Sequence, residues 1–223
     1  MRKFFLASIL VWLFGFGFIA CQKDNLVTDV VHNQDPDYTW GRGDNIPIVS
    51  DFYFKGKIDS TQFVLQDGID GFANLVFDSN YVSCDADGSG NGTFYGQLTG
   101  MYTLGGDHTL EIKFLKCIAD PTDIDDQKKI MFIGTFPYGN SNVLDPIFGV
   151  EISWVDDSGT VWKTLSGSGA TSDDTFQILT ISAADPDVLG NLVILGKMDV
   201  HLYNGTRSIR IEGGEFQFQY GVY

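Results

Sequence analysis

Glutamate is scarce in this chain. Glu111, Glu151, Glu212 and Glu215 stand alone against 25 aspartates, in the company of 26 glycines. Glutamate favours helix interiors, whereas aspartate bonds neighbouring backbone amides in turns and glycine supplies positive φ, so the bias argues against a helical protein. Cations are also few: 14 Lys and Arg face 29 acids, for a formal charge of −15. A surface of that sign repels phosphate backbones and excludes nucleic acid as a partner. The three histidines, His32, His108 and His201, include no pair at metal-ligand spacing. No serine occupies a nucleophile elbow, and no glycine-rich loop leads from a strand into a helix. Long apolar runs are missing as well, apart from one between Phe4 and Gly17.

That single run follows Met1-Arg2-Lys3 and ends in Phe18-Ile19-Ala20-Cys21. A positive start, an apolar stretch short for a bilayer-spanning helix, and a small residue ahead of a cysteine have the layout of a lipoprotein leader. The expectation is a signal peptide over residues 1–20, cleavage after Ala20 and lipidation of Cys21. Two or three acyl chains anchor stably where one does not. Residues 21–46 are polar and turn-rich and read as a flexible tether. Loss of Arg2 and Lys3 moves the formal charge from −15 to −17.

The stretch Cys21-Gln22-Lys23-Asp24-Asn25, with Phe18 three positions before the cysteine, resembles small lipoproteins of the Bacteroidetes group. The closing pattern His201-Leu202-Tyr203-Asn204-Gly205 and Ile209-Arg210-Ile211-Glu212-Gly213-Gly214-Glu215-Phe216 is similar to the end of many such proteins with β-sandwich domains. The resemblance implies an outer-membrane lipid anchor and a β-sandwich, and it transfers no functional residue. Asn25 stands where the related export signal has a further acid, so surface display and a periplasm-facing anchor both stay open.

Beyond residue 47, short runs rich in Phe, Tyr, Val and Ile recur between turn residues, which predicts an all-β, antiparallel β-sandwich, jelly-roll-like, with at most one short helix. It occupies 47–223 as one domain, or as two sandwiches divided near 119–146. Leu110, Ile112 and Phe114 alternate with Glu111 and Lys113, so one face meets a core and the other meets water. Val150 to Val155 returns through Val161-Trp162 as a hairpin, and a second hairpin turns at Asn204-Gly205, a type I′ signature. Gly213-Gly214 predicts a bulge in the last strand. Pro121 to Met131 carries early aspartates and late lysines, and reads as the one helix.

Once Cys21 is acylated, Cys84 and Cys117 remain as an even pair in an oxidising compartment, which makes them a disulfide candidate. Asp85, Asp87, Ser89 and Asn91 match the first half of a calcium loop, but Gly96 stands where the bidentate Glu belongs, leaving a flexible acidic loop as the plainer reading. Trp154, Trp162, Trp40 and Tyr138 are candidates for stacking on sugar rings, with core packing as the default for the two hairpin tryptophans. Glu111 and Glu151 are the least implausible glycosidase pair, although outward-facing charge explains both. The function reading is a noncatalytic surface lipoprotein that binds an extracellular ligand such as a glycan. A structural or assembly protein of the envelope and a glycoside hydrolase are the alternatives.

Overall fold

The computed structural model describes residues 46–84, 92–103, 109–138, 148–164, 173–183 and 191–221. The chain forms β1 (Tyr53–Ile58), β2 (Thr61–Gln66), β3 (Phe72–Cys84), β4 (Gly92–Thr103) and β5 (Thr109–Ile118). A five-residue helix, α1 (Ile124–Lys128), and a two-residue strand, β6 (Gly134–Thr135), follow. The second half adds β7 (Phe148–Val155), β8 (Val161–Lys163), β9 (Thr175–Ala183), β10 (Asn191–Asn204) and β11 (Arg207–Gly221). The molecule is all-β, as its composition predicts, and α1 is shorter than the Pro121–Met131 expected. Asp123 caps α1 by accepting from the Asp125 amide, and the turn at Lys129–Ile130 ends it.

β3 is one continuous strand whose register against β4 shifts between Ser79 and Val82. The last strand does bulge: Met198 faces Gly214 and Val200 faces Ile211, so β11 carries one extra residue there, with Gly213 at φ +57°. A bulge of this kind bends the strand and steepens its twist.

The described strands form one sheet, in the order β2-β1-β11-β10-β8-β7-β5-β4-β3, with β9 on β10 and β6 on β9. The expected two sheets are therefore two halves of a single curled one. Residues 119–146 do not divide it, because β5 and β7 pair directly from Thr109↔Val155 to Lys116↔Phe148. Ring contacts mark where the halves face each other. Phe63 on β2 stands edge-on to Trp154 on β7 at 5.2 Å, and Phe114 on β5 meets Tyr220 on β11 at 5.6 Å. Leu110, Ile112 and Phe114 are fully buried in this core, as their alternation predicts, and residues from both ends of the sheet share it.

The curl is sewn shut with side chains at one place. β1 stops pairing with β11 at Tyr53↔Gln217, so Gln219, which pairs with Val193 of β10 on one side, has no strand partner on the β1 side. Asn74 Oδ1 accepts from the Gln219 amide at 2.7 Å, and Thr99 Oγ1 donates to the Gln219 carbonyl at 2.6 Å. Asn74 Nδ2 in turn donates to the Gly100 carbonyl at 2.8 Å. These bonds satisfy groups that burial would otherwise leave orphaned. Cys84 and Cys117 form a disulfide that ties β3 to β5 across the start of β4, where Gly92 faces Cys84 and Phe94 faces Cys117. Leu115 packs against it on the outer face.

Candidate functional site

Three hairpins converge on one cleft. The β1–β2 turn holds Asp59 at φ +47° and Ser60 at φ +70°, between the paired Ile58 and Thr61. Positive φ at both central residues is the type I′ pattern, which Asn-Gly normally supplies, and two side-chain-bearing residues held there store strain of roughly 1–2 kcal/mol each. The β10–β11 turn departs from expectation. Asn204 pairs with Arg207, the central residues are Gly205 and Thr206, and only Gly205 has positive φ, at +60°. Glycine at the first central position is the type II′ arrangement rather than type I′. The third turn joins β7 to β8 around Asp156.

Asp156 is the organiser of that third turn. Its Oδ1 accepts from the Ser158 amide at 2.9 Å, the Ser158 hydroxyl at 2.6 Å and the Thr160 amide at 3.0 Å, while Oδ2 accepts from Trp162 Nε1 at 2.9 Å. Partial burial pushes the carboxyl up, but the bonds from Ser158, Trp162 and Thr160 together outweigh it and hold the group below the usual carboxylate range. A depressed folded-state value contributes stability above the unfolded-state value and loses it as pH falls through the folded-state value. Asp156→Asn is therefore expected to lower stability at pH 7 by about 1.5 kcal/mol. Its stability should also fall less than wild type's between pH 5 and 2, which urea melts across that range check.

The hairpins are tied to one another as well. The Asp59 amide donates to the Arg210 carbonyl at 3.0 Å, and Asn204 Nδ2 donates to the Val161 carbonyl at 2.9 Å. Between them lies a cleft of about 230 Å³ lined by Ile58, Asp59, Thr61, Phe63, Trp154, Asp156, Trp162, Arg207 and Ile209. Trp154 and Trp162 face each other in register on β7 and β8, as the hairpin reading required. Both are buried, at 2% and 3% exposure, so neither presents an open stacking platform. The Arg207 guanidinium lies 5.1 Å from the Trp162 ring centroid and covers that indole. Among the described residues, neither the exposed Asp59 nor the exposed Arg207 has a hydrogen-bonding or ion-pair partner for its side chain. One carboxylate and one guanidinium thus face the same cleft with their capacity unspent. Asp156, by contrast, has spent its own on its turn.

The remaining sequence candidates scatter. Tyr138 is half-buried away from the cleft, with its hydroxyl 2.6 Å from the Thr175 carbonyl and 2.9 Å from the Asp199 carbonyl, donating its single proton to one or the other. Burial, then the charges of Asp174 and Asp199, push that phenol up, so Tyr138 clasps β9 to β10 rather than serving as a platform. Glu111 and Glu151 lie on adjacent strands on the face away from the core, opposite Ser153 and Lys113, but Glu151 is buried at 7% exposure and is not the solvated charge expected. Glu111 accepts from the Tyr102 hydroxyl at 3.2 Å, and Glu151 sits 3.8 Å from Lys113. Neither lines the three-hairpin cleft. Cys21, Trp40 and the loop with Asp85, Asp87, Ser89 and Asn91 fall outside the described residues. Among the described residues no three His, Cys, Asp or Glu side chains are grouped to hold a metal ion.

A wider cleft of about 360 Å³ opens on the outer face beside the β11 bulge, lined by Lys55, Gly56, Lys57, Gln62, Glu212 and Gly213. It has no aromatic wall. Lys55 is paired to Glu215 at 3.1 Å, and Glu215 also accepts from the Tyr53 hydroxyl at 2.7 Å. Burial, with Glu215 adding to it, pushes that hydroxyl up to about 12. Lys55 is thus committed to Glu215, and with no aromatic residue in the lining this cleft is the poorer seat for a sugar.

Sequence reasoning paired the tryptophans but missed Asp59, Thr61 and Arg207, which come from the two other hairpins. The one available signal was that each borders a turn. No protein-family model, curated protein or solved structure matches the chain.

Proposed function

We propose that this is a noncatalytic, lipid-anchored protein of the outer membrane that binds an extracellular glycan in the three-hairpin cleft. The observation that carries the reading is the pairing of unspent Asp59 and Arg207 over an indole floor. A sugar hydroxyl both donates and accepts, so it suits a carboxylate on one side and a guanidinium on the other. Pockets that mix apolar lining with a few polar groups are the general form of small-ligand sites. The anchor at Cys21 and the tether to residue 46 support an address outside the cytosol, at the cell surface or facing the periplasm.

Retention on polysaccharide affinity gels and on a glycan array tests the proposal. Arg207→Ala is expected to weaken binding by about tenfold or more, because it removes the donor side of the site. Urea midpoints should stay near wild type, since the side chain is exposed. No retention on any saccharide would count against the reading and leave envelope assembly as the alternative.

A further inference from the structure

From the same cleft we infer the class of sugar it takes: a single neutral ring at the end of a chain, in preference to an internal stretch of polymer or an acidic sugar. The inference rests on the glycan-binding reading and goes beyond it. Size is the first argument. A cleft of about 230 Å³ lies below the usual range for drug-sized ligands, roughly 300–1,000 Å³, and has room for about one ring. Residues from three hairpins line it, Asp59, Asp156 and Arg207 among them, and the hairpins are tied by the Asp59–Arg210 and Asn204–Val161 bonds. A run of sugars would need a longer groove than these lining residues provide, whereas a terminal ring enters end-on.

Charge is the second argument. Two carboxylates, Asp59 and Asp156, and one guanidinium, Arg207, line the cleft, so its local balance is negative within a chain of formal charge −15. At physiological salt, charges farther than about 8 Å are largely screened, so the charges that line the cleft weigh most on what enters. An acidic sugar that reached Arg207 would set a second anion against the unpaired Asp59, and like charges brought together in a partly desolvated site select against that ligand. A neutral ring accepts from Arg207 and donates to Asp59 at once. Arg207 lies 5.1 Å from the Trp162 ring centroid, which sets the guanidinium against the cleft wall.

The test uses the mature protein and isothermal titration with methyl glycosides of neutral hexoses, the matching uronates, and oligosaccharides of whichever sugar the array selects. The expected result is that a terminal monosaccharide and its longer chains bind within about threefold of each other, and that uronates bind at least about tenfold more weakly. Asp59→Asn should narrow the uronate gap by about tenfold while weakening neutral binding only modestly, a split that a merely structural role for Asp59 does not produce. Affinity that climbs with each added residue, or uronates that bind as well as neutral rings, overturns the inference. If such binding still vanishes in Arg207→Ala, the glycan-binding reading survives; if no saccharide binds, both fall.

Discussion

Trp154→Ala is expected to lose about 3–5 kcal/mol of stability, the range for deleting a large buried aromatic. Trp154 is 2% exposed on β7, paired with Leu110 on one side and Trp162 on the other, and its ring meets the edge of Phe63 at 5.2 Å with the planes at 70°. Phe63 belongs to β2, at the far end of the strand order, so the contact joins the two facing halves of the curled sheet. Removing the indole leaves a cavity where those halves meet and strips the edge-to-face contact as well. Urea melts measure the loss; a variant within about 1 kcal/mol of wild type would mean that the halves do not depend on this contact. The same burial makes Trp154→Ala a poor probe of ligand binding, because a partly unfolded protein also fails to bind. Substitutions at Arg207 and Asp59, both exposed, separate the two effects.

The paired change Cys84→Ser and Cys117→Ser is expected to lower stability by about 3–4 kcal/mol, the chain-entropy value for a bond joining cysteines 33 positions apart. The gain comes mainly from the unfolded chain, whose loop from β3 through β4 to β5 the bond closes. A contribution from lost packing is small, because the Leu115, Cys117 and Cys84 cluster is separate from the main core. Denaturant melts of the variant, and of wild type with and without reductant, should agree on the size of the loss. Equal midpoints with and without reductant would show that the bond does not stabilise the fold.

Period-two patterning carries local information, and where it was clean the sequence reading was close. β7 contains the Val150–Val155 run read as one arm of a hairpin, and the inward set of Leu110, Ile112 and Phe114 on β5 lies in the core. Cys84 and Cys117, read as a pair on the expectation that Cys21 is acylated, are bonded to each other. What failed was nonlocal or conformationally unusual. Whether strands make two sheets or one depends on pairings such as β8 with β10, which here reduce to the single match of Tyr203 with Lys163. No local pattern announces a link that short. β6 is two residues long and has no periodicity to read.

The turns illustrate the same limit. Asn204-Gly205 carries a strong type I′ signature, yet the pairing of Asn204 with Arg207 moves the turn one residue on and changes its type. Asp59-Ser60 carries no such signature and nevertheless adopts positive φ at both positions, held there by the pairing of β1 with β2 and by the bond to Arg210. Tertiary context overrides local preference at this turn, and Asp59 of the strained pair lines the cleft. Strain of this kind clusters where function is built, which is consistent with the role proposed for Asp59. Arg207 was invisible for a different reason. An isolated arginine beside a turn reads as surface charge until the fold sets it over Trp162.

Nuclear magnetic resonance of the protein, titrated with the saccharide selected on the array, tests the central claim most directly. The account predicts saturable shifts at the Asp59–Thr61 amides, the Ser158–Trp162 amides, the Trp162 indole N–H and Arg207, with the β11 bulge near Glu212 and Gly213 unmoved. Shifts confined to that bulge or spread over the outer face, with the Trp162 indole signal unchanged, would contradict it.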